Sequence, residues 1–251
     1  MSARFAVIGG TGTGVNTQGE LVDEQVVDTP FGAPSAPLRQ FLIDGRPVWF
    51  LPRHGDGHQI APHLVNYAAN LTALHDVGVT HVIALNAVGI IGRRAPVGGL
   101  LIPNQIIDYT WGRRHTVRDG DVAVLDHIDF TEPYSEELRG QLLAAAQAVG
   151  LEVADGGVYG ATQGPRLETA AEVARLARDG VEVIGMTGMP EASIARELDL
   201  SYACIALIVN EAAGQGEGDI HAQLHAAMDQ ARSAANLLLA SFFETIFESK
   251  G

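Results

Sequence analysis

RFAVIGGTGTG, Arg4 to Gly14, is a short apolar run of strand-favouring residues broken at once by a glycine-rich turn, and this pairing sets how the rest of the chain is read. A strand ending in glycines raises a dinucleotide-binding turn first. The spacing excludes it: glycine is needed at the first, third and sixth positions, and counting from Gly10 or Gly12 the sixth is Val15 or Thr17. What is left is a turn whose backbone N–H groups, with the hydroxyls of Thr11 or Thr13, suit an oxyanion, or which is simply tight.

The same strand-then-turn pattern recurs further along. Val48 to Leu51 runs into PRHGDGHQ, and His81 to Leu85 runs into NAVG. Leu100 to Ile106, Val181 to Ile184 and Tyr202 to Val209 also read as buried strands. Helical spacing separates several of them, over Leu64 to Val77, Glu136 to Val149, Thr169 to Ala177, Pro190 to Leu198 and about Ile220 to Phe247. Alternation of this kind predicts α/β layers, with ligands gathered at strand C-terminal ends. No repeat or linker divides the chain, so one domain over residues 1–251 is expected. Tyr109 to Phe130 is the least regular stretch and reads either as an active-site loop or as a surface excursion.

Composition narrows the partners. With 30 acidic against 16 basic residues the formal charge is -14, which repels a nucleic-acid backbone or an anionic membrane surface. A small anionic substrate must then be met by a few positive groups at the site. The single cysteine, Cys204, excludes a disulfide framework and a cysteine-based zinc cluster. No apolar stretch approaches the roughly 18 residues of a membrane span, and the expected location is the cytoplasm.

Four further places carry candidate chemistry. Arg53 and His54 follow a strand; an Arg fork with an adjacent imidazole suits phosphate, although a surface Arg beside a capping His fits as well. In GPRLET, Gly164 to Thr169, Glu168 falls near a helix start, as a ligand contact or as a favourable charge on the helix dipole. In GMTGMPE, Gly185 to Glu191, Thr187 can bind an anion or cap the helix begun by Pro190. Asn210 closes the last apolar run, as a ligand contact or as a turn initiator.

Taken in order, IGGTG, DTPFGAPSAPL, RHG, NYAANLTAL, GPRLET and GMTGMPE resemble the methylthioadenosine branch of the trimeric purine nucleoside phosphorylase family, from about Arg4 to Asn210. The resemblance implies a phosphorylase-like fold, a twisted mixed central sheet flanked by helices. It implies a phosphate site at Thr11, Arg53, His54, Ala87 and Thr187, with Asn86 where many relatives have Thr or Asn. It implies a ribose site near Met186 and a base site at Glu168 and Asn210, with Leu167 where an aromatic residue often stacks. His127 matches a position that acts in a neighbouring subunit's site, which implies a homotrimer with shared active sites. No metal and no organic cofactor are implied; inorganic phosphate is the co-substrate.

The base residues then point to one purine class. Hypoxanthine and guanine carry a hydrogen on N1, which a carboxylate at Glu168 can accept, whereas adenine presents a lone pair there. Asn210 can donate to O6 while its carbonyl receives the N7 hydrogen. Adenine-specific members have Asp at the position of Asn210 and again two residues later, where this chain has Ala212. At the 5′ end, Ile220 and Leu224 suit a methylthio group, while His221 and His225 suit a hydroxyl or sit on an exposed helix face. The expected reaction is phosphorolysis of 5′-methylthioinosine to hypoxanthine and 5-methylthioribose 1-phosphate, with Asn210, Glu168 and His54 carrying it. Alternatives are an inosine or guanosine phosphorylase, a methylthioadenosine phosphorylase, and a nucleoside-binding protein without catalysis.

Overall fold

In the computed structural model the described residues are 3–9, 19–118, 127–216 and 220–248, the last with side chains from 224 onward. The apolar runs and helical stretches give, in chain order, β1 (Phe5–Gly9), β2 (Glu20–Gln25), β3 (Leu38–Ile43), β4 (Arg46–Pro52), α1 (Tyr67–Asp76), β5 (His81–Ile90), β6 (Leu100–Ile102), β7 (Gln105–Asp108), α2 (Glu136–Ala148), β8 (Val153–Asp155), β9 (Val158–Ala161), α3 (Ala170–Arg178), β10 (Val181–Gly185), α4 (Glu191–Glu197), β11 (Ser201–Glu211) and α5 (Ile220–Glu248). The strands join in one mixed sheet of the order β2-β3-β4-β1-β5-β10-β9-β7, with β11 paired to β5 and to β6, and β6 to β8. Helices flank it, as expected of the α/β class.

Continuous apolar strands are buried on both faces, and β11 shows why. Tyr202, Cys204, Ala206 and Ile208 join one core with Ala6 and Ile8 of β1, Leu71 and Leu74 of α1, and Ala192 of α4. Ala203, Ile205, Leu207 and Val209 point the other way, into a second core with Phe5, Val7, Leu142 of α2 and Phe242 of α5. The period-two alternation of a strand thus serves two helical layers at once.

Two expectations change. Leu100 to Ile106 is two strands rather than one, β6 on β11 and β7 on β9, because Pro103 between them has no N–H for a ladder. NAVG is not a turn after a strand; it lies within β5, which runs on to Ile90. Asn86 can sit in a strand because its amide is satisfied on both sides, as described below. β1, β4, β5 and β11 run parallel, so the ends of β4, β5 and β11 open at one side of the sheet.

Candidate active site

Those strand ends, with the turns after β9 and β10, enclose a cleft of about 470 Å³, within the size range of small-molecule sites. Of the expected residues, Arg53, His54, Ala87, Leu167, Glu168, Met186, Thr187, Asn210 and Leu224 line it. Asn86 lies behind the wall.

Arg53 follows β4 directly and is fully buried. Its Nε and Nη2 form a two-point pair with the Glu191 carboxylate, at 2.6 and 2.7 Å, where α4 begins. Nη2 also donates to Asn86 Oδ1 at 3.2 Å and Nη1 to the Leu85 carbonyl at 3.0 Å. Burial alone would lower the Arg53 pKa, but the Glu191 carboxylate more than offsets it and the net shift is upward. The fork expected to face phosphate therefore grips a carboxylate, leaving one Nη1 hydrogen and a charge already neutralised. Glu191 also accepts from the Tyr202 hydroxyl at 2.8 Å. Sequence reasoning quoted this glutamate within GMTGMPE without giving it a role; its signal was an acidic residue at a helix start that the apolar pattern buries.

The network continues into the cleft. Asn86 Nδ2 donates to Thr187 Oγ1 at 2.8 Å, a bond that does not consume the Thr187 hydrogen. Thr187 is not a helix cap: α4 has Pro190 at its N-cap and no side-chain cap bond. His54 Nδ1 lies 2.7 Å from the Ile60 carbonyl, which can only accept, so the neutral ring carries its hydrogen on Nδ1 and keeps a lone pair on Nε2. Burial, then the Arg53 charge, and last the neighbouring His58, push the His54 pKa down to about 4, with only the Ile60 bond opposing.

On the base side, the helix-dipole reading of Glu168 gives way to another. Thr169 is the N-cap of α3, and it exchanges capping bonds with Glu172, which closes the helix start without Glu168. Glu168 instead accepts from the Thr162 hydroxyl at 2.6 Å, through Oε1. Asn210 Nδ2 donates to the Glu211 carbonyl at 2.7 Å, which sets the amide orientation. Gly89, its partner across β5 and β11, is pinned to a small residue, since a Cβ there would lie 3.1 Å from that Nδ2.

Other expectations fall elsewhere. Thr11 and the side chains of Ile220 and His221 lie outside the described residues. His127 is exposed and does not line its own chain's cleft, and His225 is likewise exposed on α5. Met228, one turn beyond Leu224 on the helix, lines the cleft and was missed, although spacing of four along α5 would have found it.

The sequence profile of the phosphorylase superfamily matches residues 4–244, and the chain belongs to that superfamily. It is 51% identical over 216 residues to a probable S-methyl-5'-thioinosine phosphorylase of Xanthomonas campestris pv. campestris, with 86% of each chain covered. To the 6-oxopurine nucleoside phosphorylase of Pyrococcus furiosus it is 42% identical, over 84% of this chain and 80% of that one. A methylthioadenosine phosphorylase from Schistosoma mansoni in complex with tubercidin has a TM-score of 0.90 at 29% identity, over 98% of this chain and 93% of that one. Within the superfamily the protein is a nucleoside phosphorylase, a pentosyltransferase.

Proposed function

We propose that the protein cleaves S-methyl-5′-thioinosine with phosphate, giving hypoxanthine and 5-methylthioribose 1-phosphate. The observation that carries this reading is Glu168 and Asn210 lining one cleft with Ala212, so that among the described residues no second carboxylate lines it. Glu168, held by Thr162, accepts the N1 hydrogen of a 6-oxopurine; Asn210 receives N7–H and donates to O6. Adenine would set its N1 lone pair against a carboxylate. Leu224 and Met228 line the cleft while His225 is exposed and does not line it, which among the described residues favours an apolar 5′ group over a hydroxyl.

In the reaction a phosphate oxygen forms the bond to C1′ as the C1′–N9 bond breaks and its electron pair passes into the purine, which takes up at N7, through solvent, a proton matching the one the phosphate gives up. Phosphate sits near Thr187, Ala87 and His54, with Thr11 completing the site. His54 in its neutral form offers no hydrogen from Nε2, so phosphate reaches it carrying its own proton. The Arg53–Glu191 pair holds Asn86, and through it Thr187, in place. The enzyme needs no organic cofactor or metal, acts in the cytoplasm as a single domain, and assembles as a homotrimer in which His127 serves a neighbouring site.

The test is kcat/KM for methylthioinosine, inosine and methylthioadenosine, with hypoxanthine and adenine separated as products. A preference for methylthioinosine over methylthioadenosine of about tenfold or more is expected, the value of one discriminating polar contact. A tenfold preference the other way overturns the 6-oxopurine reading, and equal or better use of inosine overturns the methylthio part.

A further inference from the structure

Arg113 lies in the irregular stretch after β7, outside the lining of the cleft. Its guanidinium is nonetheless a meeting point for the two turns that carry the site. Nη1 donates to the carbonyls of Met186 and Met189, at 2.8 and 2.6 Å, in the turn after β10. Nη2 donates to the carbonyls of Gln163 and Thr162, at 2.9 and 3.3 Å, in the turn after β9. Nε donates to Gln163 Oε1 at 3.2 Å, and that same oxygen accepts from the Trp111 N–H at 3.1 Å, which ties the Arg113 segment itself down. Below, the guanidinium lies 5.6 Å from the Tyr67 ring centre.

The two turns also touch each other. The Thr162 N–H donates to the Gly185 carbonyl at 2.8 Å, and Gly164, at φ +61°, leaves room for Met186, whose Sδ would be 2.5 Å from a Cβ at that position. One turn leads to Glu168 and holds the Thr162 hydroxyl that orients it; the other carries Met186 and Thr187. Four carbonyl oxygens pointed at one place repel one another unless a multidentate cation lies between them. A guanidinium has the number and the planar spread of hydrogens to do this, and an ammonium does not.

We propose that Arg113 is a positioning residue that fixes the base-reading turn against the ribose and phosphate turn, and so sets the enzyme's discrimination between 6-oxo and 6-amino purines without touching substrate. The inference rests on the nucleoside phosphorylase reading of the cleft. Misplacement of a reacting group by about 1 Å costs on the order of a hundredfold in rate, so a loosened clamp shows in kinetics well before it shows in folding.

The experiment compares wild type with Arg113→Ala and Arg113→Lys, measuring nucleoside KM, kcat, the ratio of kcat/KM for methylthioinosine and methylthioadenosine, and melting temperature. Arg113→Lys keeps the charge and the stem, so it serves should the alanine variant fold poorly. Expected are a nucleoside KM raised about tenfold and a ratio moved towards one in Arg113→Ala, with a partial change in Arg113→Lys. A residue that only supports the fold would lower the active fraction and leave KM and the ratio unchanged; that result in a folded variant overturns the inference. The two readings fail separately: a wild type that prefers methylthioadenosine overturns the proposed substrate, whereas an unaltered ratio in the variants, whichever purine the wild type prefers, overturns the role of Arg113.

Discussion

At Arg53 the ion pair with Glu191 changes what a truncation measures. Removing the guanidinium strands a fully buried carboxylate that keeps its bond from the Tyr202 hydroxyl, and breaking such a pair costs about 3–5 kcal/mol. Arg53→Ala is therefore expected to lower the melting temperature by roughly 10 °C, with any change in phosphate KM following from the loosened Asn86 and Thr187. Replacing Glu191 by Gln as well should recover part of the loss, since the uncompensated charge goes with it. A single variant that melts within about 1 °C of wild type would show that the pair supports nothing. His54 gives a second expectation, in pH. Its folded pKa is lowered from 6.5 to about 4, so the unfolded chain binds more protons between those values and stability rises with pH across that window. Stability should thus fall on acidification from about pH 6.5 to 4, and less steeply in His54→Gln, where the part that remains comes from His58, which burial lowers too. Thermal melts at pH 7.5 and 5 decide it, and equal slopes for the two proteins would place the titration elsewhere.

Among elements, what was legible follows from what each strand buries. β1, β4, β5, β10 and β11 are apolar runs between two helical layers, so their sequences announce them. β2 is bonded, among the described residues, only to β3, with most of its own residues exposed, and ELVDEQ carries no alternation to read. β8 and β9 are three and four residues long, too short for a period to show. The site divides in the same way. Arg53, His54, Glu168, Thr187 and Asn210 stand at the ends of readable elements, and the structure brings them to one cleft. Glu191 acts through Arg53, 138 positions away, and Arg113 through carbonyls 49 to 76 positions on, while Thr162 reaches Glu168 across an irregular turn. Local spacing has no access to such pairings. Glu168 shows the intermediate case: a carboxylate beside a helix start has two readings, and only the capping bonds of Thr169 and Glu172 free it for the cleft.

For the whole molecule, the remaining question of function is how many chains make a site. His127 is exposed and absent from its own cleft, and Leu167, at the cleft wall, is 44% exposed, an apolar residue left half open beside the proposed base position. Trp111, 70% exposed, lies in an adjoining cleft that shares Glu168. Apolar groups grouped near a ligand mouth are the expected rim of a site that a neighbouring chain completes. If the protein is a homotrimer with shared sites, light scattering in solution should give about three times the 26.5 kDa of one chain. His127→Ala should then raise the nucleoside KM about tenfold, the worth of one polar contact, and leave phosphate KM and melting temperature near wild type, because an exposed side chain on its own chain supports little. The arrangement has a stricter consequence. Mixed with a Glu168→Ala chain, the His127→Ala chain should regain activity after subunit exchange, since some interfaces then pair an intact Glu168 with an intact His127. A monomeric mass, or no recovery in mixtures shown to have exchanged, would confine each active site to one chain and leave His127 without a role in it.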